Sequence, residues 1–267
     1  MDDSYSQKDL HISGVKTVEA GSYGNIHVSG KADMTGPVQC LGLHVSGTVA
    51  AGGDLVCVDE ASVSGKLVAK GQLVGQKGFK ISGQVMADGP VTVGNMAVSG
   101  QLSSKDAIRA EGLKVSGQIQ SPSLTASTLS VSGELNVRDQ LSAAQGVISG
   151  SVTVQGDMAV QDLKIYLPVG KGESQIHHIE AQKLFIGNSP NEATGAYISN
   201  LLGRTSRGRV VADSIVSEGP ADLENTVAGE VRGTDIVIRK GCKIGKVFYT
   251  GSLKVMKGAE IGKQNKI

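Results

Sequence analysis

Residues 61–83 read ASVSGKLVAKGQLVGQKGFKISG, a stretch that opens and closes on the phrase apolar-x-(Val/Ile)-Ser-Gly. The phrase occurs nine times in the first 150 residues, with its glycines at Gly14, Gly30, Gly47, Gly65, Gly83, Gly100, Gly117, Gly133 and Gly150. Successive glycines lie 16, 17, 18, 18, 17, 17, 16 and 17 residues apart. That period is too even for chance and too short for a helix-pair repeat, so it predicts a β-solenoid.

The residues between the glycines carry the physical case. Counting from Val63, one turn presents Leu67, Ala69, Leu73 and Phe79 before Ile81 opens the next; that turn presents Val85, Ala87, Val91, Val93 and Met96 before Val98. Short alternating pairs between polar or glycine corners are the pattern of strands with one face inward, about three per turn. The phrase Gly is expected at a corner because only glycine takes positive φ freely. The Ser between the inward Val and that corner is expected to point out. A β-sandwich has similar turn signals, but the constant period argues against it.

Composition agrees. The 267 residues suit a large core or two domains, and the repeat favours one elongated body. Glycine is abundant, at 37 residues, without a Gly-X-Y period, which excludes collagen. Three Phe, five Tyr and no Trp fit a narrow interior lined by Val, Ile, Leu and Ala. A net charge of +1, with mixed signs along the chain, implies no polyanion, so no nucleic-acid partner is expected. The start, MDDSYSQKDL, lacks a basic n-region and an apolar core, and no stretch approaches a membrane span. The expectation is a cytoplasmic protein, peripheral at most to the inner face of the membrane. Cys40 and Cys57 stand 17 apart at an inward position of adjacent turns, where a strand spacing of ~4.8 Å allows a disulfide. In a reducing compartment they are read, with Cys242, as small core hydrophobes.

Along the chain, residues 1–10 are polar and expected to be disordered, and the Val-Ser-Gly solenoid covers 11–186. An insert covers 187–209, in which Ser189-Pro190-Asn191-Glu192 reads as a helix start and Gly203 as its stop, giving a short helix over Pro190 to Leu202. The solenoid resumes over 210–267, with Val210, Val227, Ile244 and Ile261 each 17 apart. The whole is expected to make about 13–15 turns. Gly229 to Gly262, GEVRGTDIVIRKGCKIGKVFYTGSLKVMKGAEIG, resembles the bactofilins, bacterial cytoskeletal proteins that form polymers. The clear resemblance covers residues 206–262, and the Val-Ser-Gly array is similar in kind but longer than the compact bactofilin core. It implies a right-handed β-helix and nucleotide-independent filaments that support cell shape, motility or localised envelope machinery, with membrane-associated or envelope proteins as partners.

Sites for chemistry are weak. His11, His27 and His44 stand just before inward residues, so they predict an outward ladder; its next positions, Ser62, Lys80, Ala97 and Lys114, add no carboxylate or thiol, and no metal is expected. His177 and His178 are neighbours on a strand and face opposite sides unless the strand bends. Gly170-Lys171-Gly172-Glu173-Ser174 lacks phosphate-loop spacing. The acids Asp54, Asp88, Asp106 and Asp157 sit at scattered corners without a fixed column, which argues against a polysaccharide enzyme. No cofactor is expected, and no catalytic residue.

The ends of the coil are the remaining candidates. End turns expose unpaired backbone and an apolar row, and neither flank reads as a cap. Ile12, Val15, Val28, Phe248, Leu253, Val255 and Ile261 are therefore the candidate polymer-interface residues, with Phe248 expected at an inward or corner site. From Arg239 onward there are eight Lys or Arg against the single acid Glu260. Arg239, Lys240, Lys243, Lys246, Lys254 and Lys257 are candidates for contact with anionic lipid, although lysines on end turns also discourage wrong edge pairing. The leading expectation is a non-enzymatic self-assembling scaffold. The alternatives are a monomeric rod that displays partner-binding ladders and, more distantly, a carbohydrate-active or acyl-transferring solenoid enzyme.

Overall fold

A strand of three or four residues buries too little alone, and stacking the same apolar positions turn on turn gives each residue partners above and below. The computed structural model describes residues 8–168, 172–188 and 208–267. These form strands alone, with no helix among the described residues, and every pairing between them is parallel. They make a β-solenoid of about 14 turns with a period of about 17 residues. The chain divides into two compact units, Met1–Ala126 and Ser127–Ile267.

Within the first unit each turn has three sides. In the first turn these are Leu10–Ile12, Val15–Val18 and the opening residues of Gly21–Val28, whose closing residues lie on the first side of the next turn. Inward columns run through the stack: Ile12, Val28 and Val45 in register, then Val63, Ile81, Val98 and Val115. All of these are buried, and the nine phrase serines are exposed as expected. The first described strand begins at Leu10, within the stretch 1–10 expected to be disordered, and Asp9 accepts from the Asn25 amide at 2.6 Å; residues 1–7 of that stretch lie outside the described residues.

Phe79 is the largest fully buried side chain. It fits because its column neighbour below is Ala61, and because Gly75 beside it has no side chain: a Cβ there would sit 3.5 Å from that of Phe79. A small residue opposite a large one lets the narrow interior hold a ring at native packing density.

The phrase glycines correct one expectation. None of them has positive φ. A Cβ on Gly30 would instead overlap the carbonyl oxygens of Gly14 and Ser13 in the turn below, and Gly47, Gly65, Gly83, Gly100, Gly117 and Gly150 meet the same obstacle. Close backbone approach, not the left-handed conformation, is what demands glycine there. Apart from Gly21 in the first turn (φ 154°), positive φ falls at a different corner, where Asn225 (φ 46°), Gly241 (75°) and Gly258 (87°) follow one another up the second unit.

In the second unit, Glu173–Ala181 pairs directly with Arg209–Ser217, so the coil keeps its register on either side of residues 189–207. The helix expected over Pro190–Leu202 lies outside the described residues. Cys40 and Cys57 are free, buried and in register, with their Sγ atoms 3.4 Å apart.

Candidate functional site

Among the described residues the first and last turns each pair with a neighbour on one side, and the two turns differ. In the first turn Leu10, Ile12 and Val18 are 7, 4 and 2% exposed. The second side puts Lys16 in the inward column held above it by Ala32, Val49 and Leu67, and this lysine is exposed. The third side has Gly21 and Tyr23 in the columns of Val38 and Cys40. The Tyr23 ring lies beside Gly21, and its hydroxyl donates to the Glu19 carbonyl at 2.9 Å. The expectation of an open apolar N-terminal face is therefore corrected: a lysine and a tyrosine interrupt it.

The last turn is barer. Leu253 and Ile261 are half-buried, Val255 is 45% exposed and Met256 39%. The column of Leu141, Met158, Ile179, Ile215, Val231 and Val247 ends on the exposed Gln264.

Of the polymer-interface candidates, Leu253, Val255 and Ile261 stand together on that last face. Val28 does not belong to a face: it is covered by Ile12 below and Val45 above. Ile12 is in the first turn but buried. Val15 is 78% exposed because it occupies the outward column of Lys31, Thr48 and Lys66. Phe248 is corrected as well. The turn from Val231 advances 16 residues to Val247, which leaves Phe248 outward, under the Arg232 guanidinium at 4.5 Å from its ring centre. Counting a fixed 17 from Val231 misplaces it by one residue, and on a strand one residue reverses the face.

The basic cluster is partly neutralised. Arg239 donates two bonds to the Asp222 carboxylate, at 2.5 and 2.6 Å, and this pairing raises its already high pKa. Lys240 lies 3.6 Å from Glu224, and Lys243 3.5 Å from Glu260. Lys246, Lys254 and Lys257 have no ion pair among the described residues.

The histidine ladder is present. His11 stacks on His27 at 4.9 Å, His27 on His44 at 5.9 Å, and His44 shares a hydrogen bond with Ser62 at 2.6 Å. Among the described residues no group of three or more His, Cys, Asp or Glu is placed to hold a metal ion. His177 and His178 sit where the register shifts, and both turn outward, to Asp213 at 2.7 Å and Ser214 at 2.5 Å respectively. No helix among the described residues is long and apolar enough to cross a membrane.

Searches of protein-family models, of curated proteins and of solved structures return no match to this chain.

Proposed function

We propose that the chain is a non-enzymatic scaffold that assembles with copies of itself, without nucleotide, by stacking solenoid ends. The observation that carries this reading is the last turn: among the described residues Leu253–Val255 and Glu260–Lys266 have a strand on one side only, and Val255 and Met256 present apolar surface there. An uncovered parallel edge with apolar side chains is a template for another strand. The bactofilin-like cadence of residues 206–262 supports the same reading and adds a role in organising cell shape, motility or envelope machinery. Lys246, Lys254 and Lys257 suit contact with anionic lipid at the cytoplasmic membrane face, with envelope proteins as further partners.

The test is electron microscopy of the purified chain without nucleotide, beside Leu253→Glu and Val255→Glu. Filaments one solenoid thick, lost in both variants, support the proposal. Filaments unchanged by both variants overturn it.

Lys16 and Gln264 favour a second reading. A charged or amide side chain in an inward column at an end turn weakens stacking, as natural edge strands do. On that reading the chain is a monomeric platform whose outward ladders of Ser and His bind partners, and microscopy would show discrete particles.

A further inference from the structure

Both units count their inward columns from the same phrase, so the first turn of Met1–Ala126 and the last turn of Ser127–Ile267 are comparable position by position. In the second unit the phrase column runs Ile148, Ile165, Ile186, Leu223, Ile238, Val255. Val255 thus corresponds to Ile12 and Leu253 to Leu10. On the second side Ile261 ends the column of Val137 and Val154, which corresponds to Val18, and Ala259, just before Glu260, corresponds to Lys16. On the third side Gln264 corresponds to Gly21, and Lys266 to Tyr23.

The two sets are complementary. Three apolar pairs match: Leu10 with Leu253, Ile12 with Val255 and Val18 with Ile261. Each position that interrupts one face meets a residue suited to it on the other. Laid position on position, Lys16 would face the small Ala259, Gln264 the side-chain-free Gly21, and the Lys266 ammonium the Tyr23 ring, a cation–π partner.

Gly14 adds an independent observation. Gly30, Gly47, Gly65, Gly83, Gly100, Gly117 and Gly150 have the backbone of the previous turn where a Cβ would go, but around Gly14 there is nothing within 4 Å among the described residues. The phrase is complete at this first turn, although no described residue fills that space. The backbone bonds show the same gap. Ser29 and Gly30 donate to the Ile12 carbonyl at 2.9 and 3.0 Å, and Met256 donates to Ile238 at 2.8 Å. The Ser13 amide and the Val255 carbonyl have no such partner among the described residues.

From this we infer that the ends mate head to tail and in register: the first turn of one copy stacks on the last turn of the next, Ser13 and Gly14 donate to the Val255 carbonyl, and the assembly is polar. This rests on the scaffold reading and specifies its interface. Two last turns face to face would set the four lysines of one copy (Lys254, Lys257, Lys263, Lys266) against those of the other, with only Glu260 to offset them.

The test uses full-length Tyr23→Cys and Lys266→Cys, distinguishable by size, treated with a short bis-maleimide singly and mixed. The native cysteines are buried, and the unsubstituted chain is the control for them. The expected result is a mixed adduct between the two variants, at least tenfold above either self-adduct. Self-adducts in place of mixed ones would overturn the polarity while leaving end-to-end assembly intact. Sedimentation of the unsubstituted chain separates the remaining cases: no adduct with pelletable polymer overturns stacking through these turns, and no adduct with only monomer overturns the scaffold reading as well. Gly14→Ala gives a second measure, with at least a tenfold loss of pelletable polymer and no change in the melting temperature of the monomer. A melting temperature lowered by several degrees would show that the chain itself already fills the space under Gly14, and would overturn the inference.

Discussion

Gly30 donates its amide to the Ile12 carbonyl at 3.0 Å, and it sits so close over Gly14 that a Cβ on Gly30 would overlap the Gly14 carbonyl oxygen. The Ser-Gly corner is a vertical column in which backbone lies directly on backbone. Gly47, in the middle of that column, is flanked by Gly30 below and Gly65 above. Gly47→Ala forces neighbouring turns apart, an overpacking cost of about 1–3 kcal/mol. The expected result in thermal melts monitored by circular dichroism is a melting temperature lowered by several degrees. An unchanged melt would mean the corners separate freely and that close approach is not what the repeat encodes.

Phe79→Ala removes the largest buried ring from a site whose lower neighbour, Ala61, is too small to fill the space. The loss is about 3–5 kcal/mol, measurable by urea unfolding as a lower midpoint with little change in slope. Val15→Ser, in an outward column and 78% exposed, is expected to shift the midpoint hardly at all. Equal effects from the two substitutions would contradict the assignment of inward and outward columns.

How much of this was legible in the sequence follows from what sets each feature. The inward columns came from alternation and a constant period, both local properties of the chain. Ile12, Val45 and Ile81 could therefore be placed without coordinates. The reason for Gly30 could not, because the clash is with Gly14, a residue one turn away that only the stack brings near. A fixed count misplaces Phe248 for a related reason: the turn length varies, with 16 residues from Val231 to Val247 and 17 from Val247 to Gln264, and a strand reverses its face with each residue of slip. Lys16 and Tyr23 were visible as residues but not as a closure of the first turn, since that role depends on the Ala32 and Cys40 columns above them. The identity of Asp222 as the partner of Arg239 likewise depends on stacking across 17 residues.

Cys40, Cys57 and Cys242 are all buried, and the hydrogen bond shared with Cys40, followed by burial, pushes the Cys57 thiol well up. Burial raises Cys242 too, while the bond to Cys57 lowers Cys40, which is protected instead by being 0% exposed. A raised pKa keeps the sulfur protonated at neutral pH, and the thiol is the unreactive form. Mass spectrometry after iodoacetamide at pH 7.5 should show no alkylation of the native chain and three additions in guanidinium. Rapid native labelling of Cys57 would mean that the third side of the early turns opens easily.

Asp88 lies between two lysines, Lys105 at 2.8 Å and Lys70 at 2.7 Å, whose hydrogen bonds hold its pKa down to about 2. The folded value is below that of the unfolded chain, so the stabilisation is fully present above pH 4, the ordinary carboxylate range, and is lost as the pH falls through about 2. Both lysines are solvent-exposed and Asp88 is only half-buried, so the effect is small and screened by salt. Carbon-detected NMR should give an Asp88 midpoint near 2, and Asp88→Asn should melt slightly lower than the parent at pH 7, with the two converging at pH 2. A midpoint near 4 would show that the two lysines do not hold the carboxylate.

The basic cluster separates into residues paired across turns and residues with no acid beside them among the described residues. Arg239 is held by two bonds to Asp222 one turn below, so its charge is spent on joining turns. Lys254 and Lys257 belong to the last turn and have no acid beside them among the described residues. If the protein meets an anionic lipid surface there, each lysine near that surface contributes about 1 kcal/mol, and the attraction decays within a Debye length. Co-sedimentation with vesicles containing 30% phosphatidylserine, a composition of order typical for an anionic leaflet, should then fall by about tenfold or more in Lys254→Glu/Lys257→Glu and weaken as salt is raised. Arg239→Gln should leave vesicle binding nearly unchanged while lowering the melting temperature, because it removes a contact between turns and leaves Asp222 without its cation. Binding lost in Arg239→Gln but kept in the lysine variant would place the lipid contact away from the last turn.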